Sequence, residues 1–179
     1  MQDNQLIELF LPIINAALLA DGYQGVNTKQ SYQPTIQGVN TGPTVYFYKI
    51  SDRRYGFLRR TDVWDIDALE MVHSEVQQYT TTFQVSALVR QNPSNVNTYT
   101  ASDLVNEVAA IMQSDSTRQQ LRAKGVYILR VEDIANPYFS DDRDQFEASP
   151  SFDFTLTHDM IRVSTIQAVD SVTLDIQRV

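Results

Sequence analysis

No cysteine occurs among the 179 residues of this chain, which excludes disulfide frameworks, thiolate nucleophiles and cysteine-bound zinc together. Positive charge is scarce as well. Fourteen Lys and Arg stand against 22 Asp and Glu, for a net charge of -8, and a general nucleic-acid binder needs cations to neutralise phosphates. Only two histidines are present, His73 and His158, far apart and without a metal-ligand neighbour in sequence. Each lies in a strand-like segment among polar residues, so both side chains are expected to be exposed. There is no Gly-x-Ser-x-Gly elbow, and Gly38 and Gly42 are followed by neither a Lys nor a helix, so no phosphate loop forms there. Nor is there a run of about 20 apolar residues for a membrane span. Asp3 and Glu8 stand where a signal peptide carries basic residues, and Pro12 and Asn15 interrupt the apolar run. These absences predict a chain made and folded in the cytoplasm, with no catalytic residue, metal, cofactor or membrane partner.

What is present is ordinary globular composition, 42% apolar and 20% charged, enough to bury a core as one domain over residues 1–179. Leu6, Ile7, Phe10, Ile14, Ala17 and Leu18 recur at helical spacing and predict an amphipathic helix ending at Gly22, with a kink or restart at Pro12. Residues 23–43, rich in Gly, Pro, Gln and Asn, predict a long loop of the kind that orders on assembly. Thr44 to Ile50, aromatic and β-branched, predict a strand apolar on both faces, followed by a polar turn at Ser51 to Arg54. From Gly56 to Gln78 neither a helix cap nor a breaker appears, which predicts a long strand pair projecting from the core, an arm over about residues 49–78.

The half from Tyr79 onward is sheet and helix with no catalytic pattern laid over it. Phe83, Val85 and Ala87 alternate as a half-buried strand, stopped at Asn92 to Asn95. Thr100 caps a helix with Asp103 in its first turn and Leu104, Val108, Ile111 and Met112 as its buried stripe. A shorter helix from Ser116 closes at Gly125, and Val126 to Val131 form a strand. Phe152, Phe154 and Leu156 predict another, Val172, Leu174 and Ile176 one more, most simply as antiparallel neighbours. The fold class is therefore α+β: a mostly antiparallel sheet flanked by helices, with a projecting β-hairpin arm.

Two groupings of charge invite a functional reading. Asp62, Asp65, Asp67 and Glu70 lack the glycine and the donor spacing of a calcium loop; with Asp65 and Asp67 on one strand face, they predict a solvated surface. Asp141 to Asp144 have a better loop geometry for a divalent ion, with no second feature in support. The basic residues instead concentrate at Lys49, Arg53, Arg54, Arg59 and Arg60, interleaved with Tyr55 and Phe57 and followed by Trp64. Arg and aromatics are favoured anchors of protein contacts, and these eight residues are the candidate subunit or partner contacts. Stacking on nucleic-acid bases and an inert hairpin tip remain the alternatives.

In its order of elements the chain resembles the tail terminator, or neck terminator, proteins of tailed bacteriophages. The likeness runs from the N-terminal helix through Ile36-Gln37-Gly38-Val39-Asn40-Thr41-Gly42-Pro43 to Thr82-Phe83-Gln84-Val85. It continues through the helix from Ala101 to Met112, the junction Leu121-Arg122-Ala123-Lys124-Gly125-Val126, and Phe146-Glu147 leading into Ser151-Phe152-Asp153-Phe154-Thr155-Leu156. The resemblance implies a non-enzymatic virion protein that forms a hexameric ring on the head-proximal end of the tail tube. It would stop tube polymerisation and join tail to neck, connector or head-completion protein, with double-stranded DNA passing through the lumen. The basic, aromatic segment 49–60 departs from a minimal terminator. Another head–tail joining component, and a small enzyme or ligand-binding protein with a dispersed site, are the competing classes.

Overall fold

The computed structural model describes residues 1–31, 42–90, 98–140, 146–148 and 150–167. The expected stop at Asn92 to Asn95, the loop at Asp141 to Asp144, the strand at Val172 to Ile176 and most of the Gln-Gly-rich loop lie outside them.

Helix α1 (Asp3–Ala20) buries Leu6, Ile7, Phe10, Ile14 and Leu18. It is one helix with Pro12 inside, and the predicted restart does not occur. Pro12 and Glu8 both face solvent, so water can satisfy the carbonyl that loses its partner. At the other end Gly22 takes φ +92°, and the amides of Gly22 and Tyr23 donate to the Leu19 and Leu18 carbonyls at 3.3 and 2.9 Å. A left-handed glycine closing both carbonyls is the stop signal that the sequence suggested. By length and mean hydropathy (18 residues, 1.2) α1 could cross a membrane, yet its apolar stripe is spent on the chain's own core.

The next elements are strands β1 (Asn27–Gln30), β2 (Thr44–Asp65) and β3 (Glu70–Leu88), then helices α2 (Ala101–Gln113) and α3 (Asp115–Arg122). At the start of α2 the Asp103 amide donates to Thr100 Oγ1 at 3.1 Å, and the Thr100 amide donates to Asp103 Oδ2 at 2.8 Å. This reciprocal box satisfies two amides that would otherwise be orphaned, and the bonds from Thr100 lower the Asp103 pKa. Ser114 ends α2 and accepts from the Thr117 amide to begin α3. Strands β4 (Val126–Val131), β5 (Tyr138–Ser140), β6 (Phe146–Ala148) and β7 (Ser151–Gln167) complete the chain. Strands β1 and the β5–β6 pair had no counterpart in the sequence reading.

One five-stranded sheet has the order β1-β2-β3-β7-β4, antiparallel except where β1 runs parallel to β2. The helices cover one of its faces. There Phe10 meets Phe47, Phe83 and Phe154 with centroids at 5.3, 5.2 and 5.7 Å, and Val45, Val85, Phe152 and Leu156 pack around them. Among the described residues no helix covers the other face, which carries Thr80, Thr82, Gln84 and Ser86 of β3 beside Asp153, Thr155 and Thr157 of β7. The strand over residues 44–50 is apolar on both faces as expected, but the two are used differently: Val45 and Phe47 are buried against the helices, while Tyr48 and Ile50 are exposed.

The core ends at Thr81 and Leu156, but three strands run on. From Thr81 back to Glu70, β3 extends for roughly 35 Å at about 3.3 Å per residue, with β2 on one side and β7 on the other as far as Glu70↔Gln167. Ser51 to Arg54 are part of this ladder, paired with Thr82 to Tyr79; hydrogen bonding to β3 overrides their polar, turn-like composition. The arm is thus a three-stranded sheet, one strand more than the expected hairpin. Asp67 lies in its tip turn and not on a strand face, and its amide donates to Asp65 Oδ1 at 3.0 Å, as does that of Ala68 at 3.1 Å.

Candidate subunit interface

The arm is where large apolar side chains meet solvent, and local backbone geometry decides which. Between Tyr55↔Gln78 and Arg59↔Val76, the three residues Gly56, Phe57 and Leu58 face Gln77 alone. Gly56 adopts φ +69°, which a side chain would resist, and Gln77 Nε2 donates to the Tyr55 carbonyl at 2.9 Å, satisfying an acceptor that the bulge would orphan. A bulge re-aims the side chain it carries. Phe57 is left 97% exposed and Tyr55 68%. Toward the tip, Trp64 is 44% exposed and stands level with Met71 and Ile166. Ile66 and Leu69 crown the turn, with Leu69 at φ +54°.

The basic residues divide into three groups. Lys49 lies on the helix face, where Nζ contacts both Asp3 oxygens at 2.7 Å and also binds Asp52. Burial acts against its charge, but the bonds from Asp3 and Asp52 outweigh that and raise its pKa. Burial likewise works against the Asp52 carboxylate, and its bonds to Lys49 and Thr81 hold its pKa below the usual range. Lys49 therefore pins the first turn of α1 to the sheet. Arg59 and Arg60 are exposed but engaged, with Asp159 at 3.1 Å and Glu75 at 3.3 Å. Arg53 and Arg54 are exposed and form no ion pair among the described residues. Of the eight candidates, Arg53, Arg54, Tyr55 and Phe57 gather at one edge of the arm's base, Arg59 and Arg60 follow beyond the bulge, Trp64 lies near the tip, and Lys49 belongs to the fold.

The histidines part company. His73, on the arm, binds Asp62 through Nδ1 and approaches Glu75 at 3.6 Å; the Asp62 bond is foremost in raising its pKa. His158 is 5% exposed, contrary to the sequence expectation. It stacks on Tyr79 at 6.0 Å, and its Nε2 lies 3.0 Å from Thr81 Oγ1. That hydroxyl spends its single proton on Asp52 Oδ1 at 2.7 Å, so Nε2 must be the donor to it. Burial lowers the His158 pKa, keeping the ring neutral at the junction of core and arm. Among the described residues no group of three His, Asp or Glu is placed to hold a metal ion.

Sequence reasoning missed the apolar residues of β7, Ile161, Val163 and Ile166, exposed by 61, 63 and 54%. Ile161, Val163 and Thr165 are β-branched and alternate with Arg162 and Ser164, a period-two pattern that could have marked the strand.

A sequence profile of the family described as E217 gateway protein gp29 matches residues 5–168. No curated protein matches. Among solved structures, one described as the sheath/tube terminator of an extracellular contractile injection system, PVC, in its extended state superposes with a TM-score of 0.61 at 12% identity. The match takes in 100% of this chain and 64% of that one, so this chain spans just under two thirds of that protein's length and the likeness is one of fold.

Proposed function

Since this chain belongs to the E217 gateway protein gp29 family, we propose that it is a structural virion protein that caps the head-proximal end of a phage tail tube as a ring, ends tube polymerisation and joins tail to neck. The resemblance to tail terminators drawn from sequence is upheld by a phage family on one side and the fold of a sheath/tube terminator on the other. The observation that carries the proposal is that the match to that terminator's fold spans 100% of this chain at a TM-score of 0.61. Residues 1–179 act as one terminator-like domain. Its partners are further copies of itself, six in the ring, together with the tube protein and a connector or head-completion protein. It is assembled in the host cytoplasm and resides at the tail–neck junction of the virion. Arg53, Arg54, Tyr55, Phe57, Arg59, Arg60 and Trp64 make the contacts, and Lys49 supports them from within the fold. Double-stranded DNA passes through the lumen without sequence-specific binding. A net charge of -8 suits that passage, because a wall that attracted phosphates would hold the DNA. No catalysis is assigned.

The test is to omit the protein during phage assembly and to locate it in complete particles by electron microscopy. Tails of uncontrolled length without heads, and density at the head-proximal tail end, are expected. Normal tail lengths, or density elsewhere, would refute the proposal. The word gateway in the family's description favours a second reading, a head–tail joining or completion protein; omission would then leave tails of normal length beside leaky heads.

A further inference from the structure

The two long edges of the arm differ in shape and correspond in height. Strand β1 leaves β2 at Phe47 and β4 leaves β7 at His158. Beyond those points, among the described residues, β3 is the only strand beside either of them. On the β2 edge the bulge holds out Phe57, level with Gln77 and Met160 by the pairings on either side of it. Opposite, where β4 begins, a groove of 470 Å³ opens, whose lining includes Tyr127, His158 and Ile161 together with the charged Met1 amino group, Lys124 and Asp159. A projecting ring stands on one edge and a recess on the other, both at the level of residues 158–161 of β7.

We propose that Phe57 of one copy seats in the groove beside His158 and Ile161 of the next copy. The proposal rests on the ring reading above and names the contact that closes it. Copies related by rotation about an axis that runs along the arm keep their arms at one height, and knob and groove then meet without a shift along the strands. Knob and groove are different surfaces, so the contact is head-to-tail, the kind that generates rings. Higher up, the same approach sets Trp64 level with Ile166, and Thr61 and Val63 around the level of Val163, covering apolar surface on both sides. The charges are already engaged within each copy: Arg60, directly level with Arg162, is held by its own Glu75, and Asp62, two residues from Arg162 in level and within diagonal reach, is bound to His73. The bulge also disrupts β2 as an edge and its arginines charge it, devices that discourage indiscriminate strand pairing. An aromatic side chain fully desolvated at the centre of a contact is the usual anchor of such an interface.

The cysteine-free sequence makes the test direct. In one chain, β2 and β4 are separated by β3 and β7, about 14 Å at ~4.8 Å per strand, and a disulfide needs Cα atoms within about 7 Å. A variant carrying both Phe57→Cys and Tyr127→Cys therefore cross-links only between copies. Oxidised in assembling particles, it is expected to give a ladder of trimers and larger species on a non-reducing gel, while each single variant stops at dimers. Absence of any species above the dimer overturns the contact, including the case in which residues 168–179 of the same chain cover the groove. If electron microscopy still places the protein as a ring at the tail end, the ring reading survives that result. If the protein is absent from that end, both fall.

Discussion

Two phenylalanines at opposite extremes of burial test how the chain divides its apolar residues between stability and contact. Phe10 is 1% exposed and meets three other rings between 5.2 and 5.7 Å; Phe57 is 97% exposed. Truncating a buried Phe costs about 3–5 kcal/mol, the transfer term plus that of the unfilled cavity. Phe10 should stand at the upper end, because the rings of Phe47, Phe83 and Phe154 belong to three hydrogen-bonded strands and cannot collapse far into the space. A domain of this size is stable by some 5–15 kcal/mol, so Phe10→Ala removes a third or more of the total. With an m-value of about 2 kcal/mol per molar urea, the unfolding midpoint drops by roughly 2.5 M. The same change at Phe57 moves it by less than about 0.3 M, since a surface substitution away from any cap or network costs no more than ~0.5 kcal/mol. Urea titrations of both variants, followed by far-UV circular dichroism, measure the difference. Equal midpoints would refute the account, as would a Phe57→Ala variant that unfolds as easily as Phe10→Ala.

Lys49→Met should lower stability by about 1–2 kcal/mol, because it leaves Asp3 and the partly buried Asp52 without their cation, and should leave cross-linking through position 57 intact. Urea titration together with the cysteine ladder checks this, and unchanged stability with a lost ladder would return Lys49 to the contact surface. Stability should also fall with acid in two steps. His158 has a folded-state pKa below its ordinary 6.5, so the unfolded chain takes up the proton first. Its contribution is complete above pH 6.5 and is lost as pH falls through the interval beneath. Asp52 and Asp103 are lowered from 3.8, and their contributions, present above that value, are lost as pH drops through their folded pKa values. His73 acts in the opposite sense: its pKa is raised, so its contribution is present below 6.5 and fades as pH rises. In a His73→Gln background, which removes the opposing dependence, urea midpoints at pH 7 and pH 5.5 should converge when His158→Gln is added. An undiminished difference would remove His158 from the first step.

The elements legible in sequence are those whose signals act locally or through burial. Thr100 with Asp103, and Gly22 and Gly125 at helix ends, announce caps by their own chemistry, and the alternation of Phe83, Val85 and Ala87 reports one buried face. The arm is different. No helix among the described residues covers it, so its apolar residues are spread over exposed faces, and the alternation of Ile161, Val163 and Thr165 with Arg162 and Ser164 is brief and broken at Ile166. That concealed the third strand and half of the candidate interface. Lys49 stands close to the arginines in sequence, but one of the two carboxylates it binds, Asp3, comes from the first helix, and nothing near position 49 announces that pairing. His158 was misjudged for a related reason: Thr81 and Asp52, which make its burial tolerable, lie far away in the chain and leave no mark near it.

The odd number of strands in the arm has a consequence for how copies join. β2 runs outward from the core, β3 returns and β7 runs outward again, so both free edges point the same way. Arms set side by side around an axis consequently meet through parallel edges, whose slanted hydrogen bonds are slightly weaker per residue than antiparallel ones. Two free subunits meeting in solution would gain somewhat less backbone energy than an antiparallel pair. If copies join as proposed, a partner that is already circular, such as the end of a tube, would hold all the edges in place at once.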